Sequence, residues 1–454
     1  MFSSQNRRQF LSGAVAAAGA VAAAGAVPTT AAVARQSVAS ERIQVGCVGV
    51  EGRAGFLLEA FAGRGDVDVV AVADIDSRKL PGAIERVRRL SGRAPRAEKD
   101  FRKLVDDRSI DVLVVGTPDH WHAIPTILAC QNGKDVYVEK PDGHNIVEGQ
   151  RMVQAMRKHG RIVQMGIQAR SGTHFLSAIE FLRTGKLGTC LAAKAWESSM
   201  QGNIGRPEDS KPPEGVDYDF WLGPAPLRPF NVRRFQGTWR WFFDYGTGDL
   251  GNDGVHRLDY ARWALSTAIE ARGGAPLNFP SRISASGGKW YFDDMQEWPD
   301  TLQVTYEYAG TPGSLLTYEM RVWNAYRMYE ESEGAIVYGD QGYIVIGNRR
   351  WRAFDPKDQL IAEDSGNNDG TTHIANFLDC VRDRHKPNAD LETVGHPSSM
   401  MCHAGNVAWR LGRTVRLDPQ SEAFITENGA PDAEANHWRS RPEYRRPWLL
   451  PEVV

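Results

Sequence analysis

A strand, a glycine-rich turn, a helix and a second strand follow one another between residues 42 and 74. This succession restricts the fold more than any other feature of the chain. Arg42 to Gly49 carries Ile-Gln-Val-Gly-Cys-Val between polar flanks, a short apolar run typical of a buried parallel strand. The turn Gly49-Val50-Glu51-Gly52-Arg53-Ala54-Gly55 comes next, followed by Phe56 to Phe61 with helical spacing. Val67 to Asp74 is the second strand and ends on a carboxylate. A pyrophosphate needs backbone N–H groups and a helix N-terminus within reach, and only small residues let it come that close. Asp74 lies about 20 residues beyond the turn, where a carboxylate can accept from a ribose hydroxyl. Glu51 stands where a G-x-G-x-x-G pattern has its second glycine, and Ala54 where it has its third, a place that tolerates Ala. A purely structural turn is the competing reading. No Gly-Lys-Ser/Thr follows, which argues against a P-loop. The charge of Asp74 would repel a 2′-phosphate and so favours NAD over NADP, while the nearby Arg78 works against that preference.

The alternation continues beyond the first unit. Asp111 to Gly116 and Asp135 to Val138 read as further strands. Val147 to His159 places Val147, Met152, Val153 and Met156 broadly on one helical face, with Gly160 as a C-terminal cap. Arg161 to Met165 is another strand. Strands separated by helix-length stretches predict an N-terminal doubly wound parallel sheet, over residues 41–165. From about residue 170 the texture changes. Trp, Tyr and Phe crowd between Trp196 and Trp263, and Thr301 to Tyr308, Ser314 to Arg321 and Ala335 to Ile346 read as longer alternating strands with Gly turns. These predict a second α/β domain, residues 166–415, with a large open, mainly antiparallel sheet. Thr371 to Val381 and His396 to Leu411 read as helices. The tail, residues 416–454, reads as an extended arm that wraps the body or reaches a partner subunit.

The first 34 residues stand apart. Asn6-Arg7-Arg8-Gln9-Phe10-Leu11 opens a run to Val27 made almost wholly of Ala, Gly and Val, and Ala32-Val33-Ala34 offers a cleavage site. The arginine pair resembles a twin-arginine export signal, which predicts a periplasmic or exported protein. A retained membrane anchor is the alternative. No second apolar run reaches spanning length, so no integral membrane domain is expected after removal. The 54 Lys and Arg against 56 Asp and Glu give a net charge of −2, which speaks against a polybasic nucleic-acid binder. The five cysteines are odd in number and lack a CxxC pair. No Cys/His cluster has metal-site spacing, so no metal is expected.

Two later segments carry chemistry. Glu139-Lys140-Pro141 ends a predicted parallel strand, and ligands in open α/β sheets bind at strand carboxyl ends. Lys140 there would aim an ammonium at the cofactor cleft. A solvated lysine beside a turn-forming proline is the competing reading. Gly246-Thr247-Gly248-Asp249-Leu250-Gly251-Asn252-Asp253-Gly254-Val255-His256-Arg257-Leu258-Asp259 is the second. If helical from about Leu250, it puts Asn252 and His256 on one face, turns Asp253 a quarter-turn away, and lets Asp259 orient the His256 ring. Histidine is the natural proton acceptor near neutral pH, and the surrounding glycines argue for close approach of a ligand.

In this order these motifs, with Gly116-Thr117-Pro118-Asp119-His120-Trp121-His122, resemble the Gfo/Idh/MocA oxidoreductase family. Asp217-Tyr218-Asp219-Phe220-Trp221-Leu222-Gly223-Pro224 and Asn376 to Val381 are similar to its exported bacterial branch. The resemblance covers nearly all of residues 41–415. It implies a Rossmann domain, a C-terminal domain whose open sheet often mediates homo-oligomerisation, and hydride exchange between NAD(P) and a sugar or cyclitol carbon. Lys140 and His256 correspond to the family's active-site lysine and histidine. Asn252 falls where many dehydrogenases of the family have Asp, which puts an Asp–His proton relay in question because Asn cannot accept a proton. The cofactor contacts expected on this basis are Gly49, Glu51, Gly52, Arg53, Ala54, Asp74, Thr117, Pro118, His122, Glu139, Lys140 and Gln168. Trp239, Arg240, Trp241, Tyr245 and Asp259 are expected to line a sugar pocket, against the alternative that the rings pack between domains.

Three activities fit this reading. One is an exported sugar oxidoreductase that keeps a tightly held NAD and recycles it with a second sugar, because free NAD is scarce outside the cytoplasm. Another is a redox-neutral, NAD-dependent glycoside hydrolase that makes no net NADH. The last is a non-catalytic, NAD-loaded binding protein.

Overall fold

The computed structural model describes residues 42–310 and 312–453. The export signal expected at residues 1–34 lies outside them. The N-terminal strands are β1 (Ile43–Val48), β2 (Val67–Ala73), β3 (Arg96–Glu98), β4 (Val112–Val115), β5 (Asp135–Val138) and β6 (Val163–Met165). They form one parallel sheet in the order β3-β2-β1-β4-β5-β6. All four residues of β4 and of β5 are buried, as expected of strands covered on both faces. The covering helices include α1 (Gly52–Ala62), α2 (Leu80–Ser91), α3 (Arg102–Asp106), α4 (Ala123–Gln131) and α5 (Ile146–His159). Edge strand β3 is absent from the sequence reading because Arg-Ala-Glu has no apolar run to announce it. The Asn145 side chain caps α5 by accepting from Glu148 N at 3.1 Å, and Gly160 ends it in the left-handed region at φ 58°.

A ten-stranded sheet follows, in the order β14-β13-β12-β11-β7-β10-β9-β8-β15-β16. Its strands are β7 (Cys190–Ser198), β8 (Arg282–Gly288), β9 (Thr301–Tyr308), β10 (Ser314–Arg321), β11 (Glu333–Gly339), β12 (Gly342–Gly347), β13 (Arg350–Phe354), β14 (Leu360–Ser365), β15 (Val415–Asp418) and β16 (Ala423–Ile425). Only β7 and β10 pair in parallel. Along β9, Leu302, Val304, Tyr306 and Tyr308 alternate inward and are buried, the burial of each contributing roughly 2 kcal/mol. The helices of this half are α6 (Thr173–Arg183), α7 (Tyr218–Leu222), α8 (Gly248–Asn252), α9 (Gly254–Glu270), α10 (Thr371–Asp383), α11 (His396–Leu411) and α12 (Ala433–His437). α9 packs on β7 and β11, and α11 on β8.

Two features differ from the expectation. The segment read as one helix from Leu250 is two, α8 and α9, broken at Asp253. The tail begins as the edge hairpin β15–β16 and then returns across the protein's own surface. Its Trp448 stacks on Phe220 with ring centroids 4.5 Å apart and meets Trp121 edge-on at 5.0 Å.

Candidate active site

The glycine turn explains its own irregular spelling. Gly49 has φ +87°, and a Cβ there would sit 3.0 Å from the Gly116 carbonyl oxygen. Gly52 has φ +57°, with nothing within 4 Å of a Cβ position, so its outer face is open. Glu51 between them is extended, at φ −124°, a conformation any residue adopts. The motif therefore needs glycine at 49 and 52 and tolerates Glu51, whose carboxylate turns away to Arg86 at 3.2 Å. No side chain caps the first turn of α1, so its N–H groups are free for a ligand.

Asp74 closes the far end of this cradle. Its two oxygens accept from Val50 N at 3.2 Å and Asp76 N at 2.9 Å. Burial outweighs these bonds and raises its carboxyl to about 6. Arg78 does not compete for a cofactor phosphate, because it forms a two-pronged pair with Asp76, both contacts at 2.7 Å. The segment after β7 lies over this end. Ser77 N donates to Gly215 O and Asp217 N to Ile75 O, each at 2.9 Å.

Gly49, Gly52 and Asp74 line a cleft of about 710 Å³. So do Glu51, Arg53, Ala54, Thr117, Pro118, Glu139, Lys140, Gln168, Trp239, Arg240, Asn252 and His256. Glu139 binds Arg53 at 2.8 Å, tying the end of β5 to the first turn of α1, and the arginine holds its carboxyl below the usual range despite burial. The Lys140 ammonium donates to the Asn252 backbone oxygen at 2.6 Å and to Asn252 Oδ1 at 2.8 Å. His256 makes no ring hydrogen bond to the described residues. Burial, and then the Lys140 charge, hold its imidazole well below 6.5, so it is neutral and ready to accept a proton.

Four expected residues lie elsewhere. His122 is buried with Nδ1 2.6 Å from Pro141 O and Nε2 2.8 Å from Thr117 O. It joins two loops that reach the cleft and does not line it. Trp241 and Tyr245 are core residues, and Tyr245 packs against Trp221 with centroids 4.8 Å apart. Asp259 cannot orient His256, because Arg170 engages both its oxygens at 2.8 Å and Ser398 Oγ adds a bond at 2.7 Å. Conversely, Asp253, at the break between α8 and α9, lines the cleft. The sequence reading also missed the aromatic wall made by Phe101, Trp121, Phe220 and Trp221. Trp121 lies inside the quoted Gly116–His122 motif, and Phe220 and Trp221 inside the quoted Asp217–Pro224 segment, but none of these rings was assigned to the cleft.

Among the described residues, no group of three or more His, Cys, Asp or Glu could hold a metal ion. Nor is any helix there long and apolar enough to cross a membrane. The two positive-φ glycines, the uncapped helix and the carboxylate at the next strand end fit a dinucleotide.

Comparison with known proteins agrees with this geometry. Residues 43–167 match the model of an oxidoreductase family's NAD-binding Rossmann fold, and residues 190–448 match the model of its C-terminal alpha/beta domain. Inositol 2-dehydrogenase of Rubrobacter xylanophilus is 34% identical over 160 residues, which are 35% of this chain and 44% of that protein. The chain therefore spans less than half the length of that relative. Glycosyl hydrolase family 109 protein 1 of Shewanella sp. is 25% identical over 34% of this chain and 35% of its own length. The structure of aldose-aldose oxidoreductase from Caulobacter crescentus, complexed with glycerol, superimposes with a TM-score of 0.63 at 18% identity, covering 83% of this chain and 100% of that one.

Proposed function

This chain belongs to the Gfo/Idh/MocA oxidoreductase family, and from that premise we propose that it moves hydride between a carbinol carbon of a sugar or cyclitol and NAD held in the cleft. When bound, NAD supplies the hydride acceptor. Gly49, Gly52 and the first turn of α1 receive the pyrophosphate, and Asp74 accepts from a ribose hydroxyl. Arg78 is spent on Asp76, which supports NAD over NADP.

The observation that carries the reading is a charged donor and a neutral base on one wall. Lys140 is held by Asn252, and His256 follows on the next helix. As hydride leaves the carbon, His256 takes the hydroxyl proton, and the carbinol becomes a ketone. Lys140 donates to that oxygen and stabilises the charge developing on it. Asn252 cannot accept a proton, so its part is to aim the ammonium. Lys140→Ala and His256→Ala should each abolish turnover, and full activity in both variants would overturn the assignment.

A second reading is supported by the similarity to glycosyl hydrolase family 109 protein 1. A redox-neutral cycle on the same residues would release a free sugar from a glycoside with no net NADH. Product analysis separates the two. Export through the twin-arginine route, with the cofactor loaded beforehand and retained, and a homo-oligomer built on the open sheet belong to the same proposal. Exposed Leu191, Leu315 and Tyr338 on that sheet support the oligomer.

A further inference from the structure

Part of the wall of the cofactor cleft does not come from the parallel sheet. The segment between β7 and α8 supplies it, pinned beside Asp74 by Ser77 N donating to Gly215 O and Asp217 N to Ile75 O, each at 2.9 Å. The segment then enters α7, which sets Phe220 and Trp221 in the cleft wall together with Phe101 and Trp121. Trp121 Nε1 donates to Trp221 O at 2.9 Å, and His120 Nε2 lies 2.8 Å from the same oxygen. α7 ends at Gly223, which has φ +52° and whose Cβ, if present, would run into the Trp121 ring. The C-terminal tail covers the other side of α7. Arg445 Nε donates to Gly223 O at 2.9 Å, and its Nη1 pairs with Asp219 at 2.6 Å. Trp448 is buried against Phe220 and Trp121, and the Arg102 guanidinium stands 4.8 Å from its ring centroid. The last residues reach α4, where Gln131 Nε2 donates to Glu452 O at 2.7 Å. Neither Arg445 nor Trp448 lines the cleft.

We propose that the C-terminal tail is a latch on the cofactor. Arg445 and Trp448 clamp α7 onto Trp121, and the clamped wall keeps NAD from exchanging. Both are positioning residues, since they act through α7 and touch no reacting atom. This rests on the reading that NAD occupies the cleft with a ribose on Asp74, because the segment leading into α7 is pinned there. A helix as short as α7 does not hold its own shape in water, so its position is set by what packs on it. Trp448 supplies two ring contacts and receives one cation, and each such contact corresponds to about two- to tenfold in an equilibrium or a rate. Changes of this kind appear mostly in the dissociation rate.

The test is the release of NADH from the loaded full chain, followed by nicotinamide fluorescence after excess NAD is added. Trp448→Ala should release NADH at least about tenfold faster than the parent. Arg445→Ala, which leaves the buried rings in place, should release it faster by a smaller factor, and it carries the test if Trp448→Ala folds poorly. Trp448→Phe keeps a ring on Phe220 and should stay close to the parent rate. With NAD in excess, turnover of Trp448→Ala should match the parent, because Lys140 and His256 are untouched. Release at the parent rate in both alanine variants would overturn the latch and leave the NAD reading intact. Faster release matched by an equal loss of turnover in excess NAD would also overturn it, since that marks general distortion. A parent chain that binds no NADH would overturn the latch and the NAD reading together.

Discussion

The ammonium of Lys140 is gripped twice by one residue, at 2.6 Å by the Asn252 carbonyl and at 2.8 Å by its side-chain oxygen. Removing the side chain leaves one grip and frees the ammonium to swing. A hydrogen bond to a charged group contributes about 1.5–3 kcal/mol. Asn252→Ala should therefore lower kcat about 10- to 100-fold, with NADH affinity within twofold of the parent. Steady-state turnover and an NADH fluorescence titration check this, and an unchanged kcat would show that Asn252 does not aim the lysine.

His256 sets the acid limb of the pH profile. The reaction needs a neutral imidazole, and burial beside Lys140 holds its pKa well below 6.5. Activity should stay level as pH falls through 6.5 and drop only below it. A fall in kcat/KM centred at or above 6.5 would contradict the role given to His256. His256→Gln should lower kcat by about 10²- to 10⁴-fold, the range for a lost general base.

Asp74 titrates nearer to neutrality. Its carboxyl is raised to about 6, so it is charged at pH 7 and largely protonated at pH 5. The charged form repels a 2′-phosphate. Discrimination against NADP should be full at pH 7 and shrink below about pH 6, read from Kd values for NADH and NADPH at each pH. The raised pKa also means that Asp74 favours the folded apo protein most below 3.8, and that this contribution is lost as pH rises through about 6. Asp74→Asn should remove both effects. Discrimination independent of pH would count against Asp74 as the ribose acceptor.

A buried imidazolium braces the loop that carries Lys140. His396 Nδ1 lies 2.6 Å from Asp142, two residues beyond Lys140, and its Nε2 lies 2.8 Å from Glu422 in the tail. Its pKa is raised to about 10 by these carboxylates against the cost of burial. Stability from this raised group is complete below 6.5 and drains away as pH climbs through about 10. His396→Ala strands two carboxylates and should cost about 3–5 kcal/mol. The denaturant midpoint should fall between pH 6.5 and 10 in the parent and stay flatter in the variant. Equal slopes would contradict the brace.

Much of this was legible in the chain. The parallel sheet announced itself because β1, β2, β4 and β5 are dense in valine, and the positions of Lys140 and His256 followed from motif order. The local rule failed where tertiary packing decided the outcome. Asp259 has the right spacing to reach His256 along a helix, yet Arg170, 89 residues away in sequence, takes both its oxygens. The break at Asp253 carries no proline, so helical spacing read straight through it. His122, Trp241 and Tyr245 belong to plausible motifs, but burial gives them scaffolding work.

One measurement bears on the central claim most directly. The full chain, purified without added nucleotide, is denatured, and the released small molecules are identified by mass and absorbance. In parallel, native protein is mixed with a neutral sugar and its nicotinamide fluorescence is followed. The account predicts about one NAD per chain, and reduction of that bound cofactor by the parent but not by Lys140→Ala. Absence of dinucleotide, or identical behaviour of the parent and the variant, would contradict it.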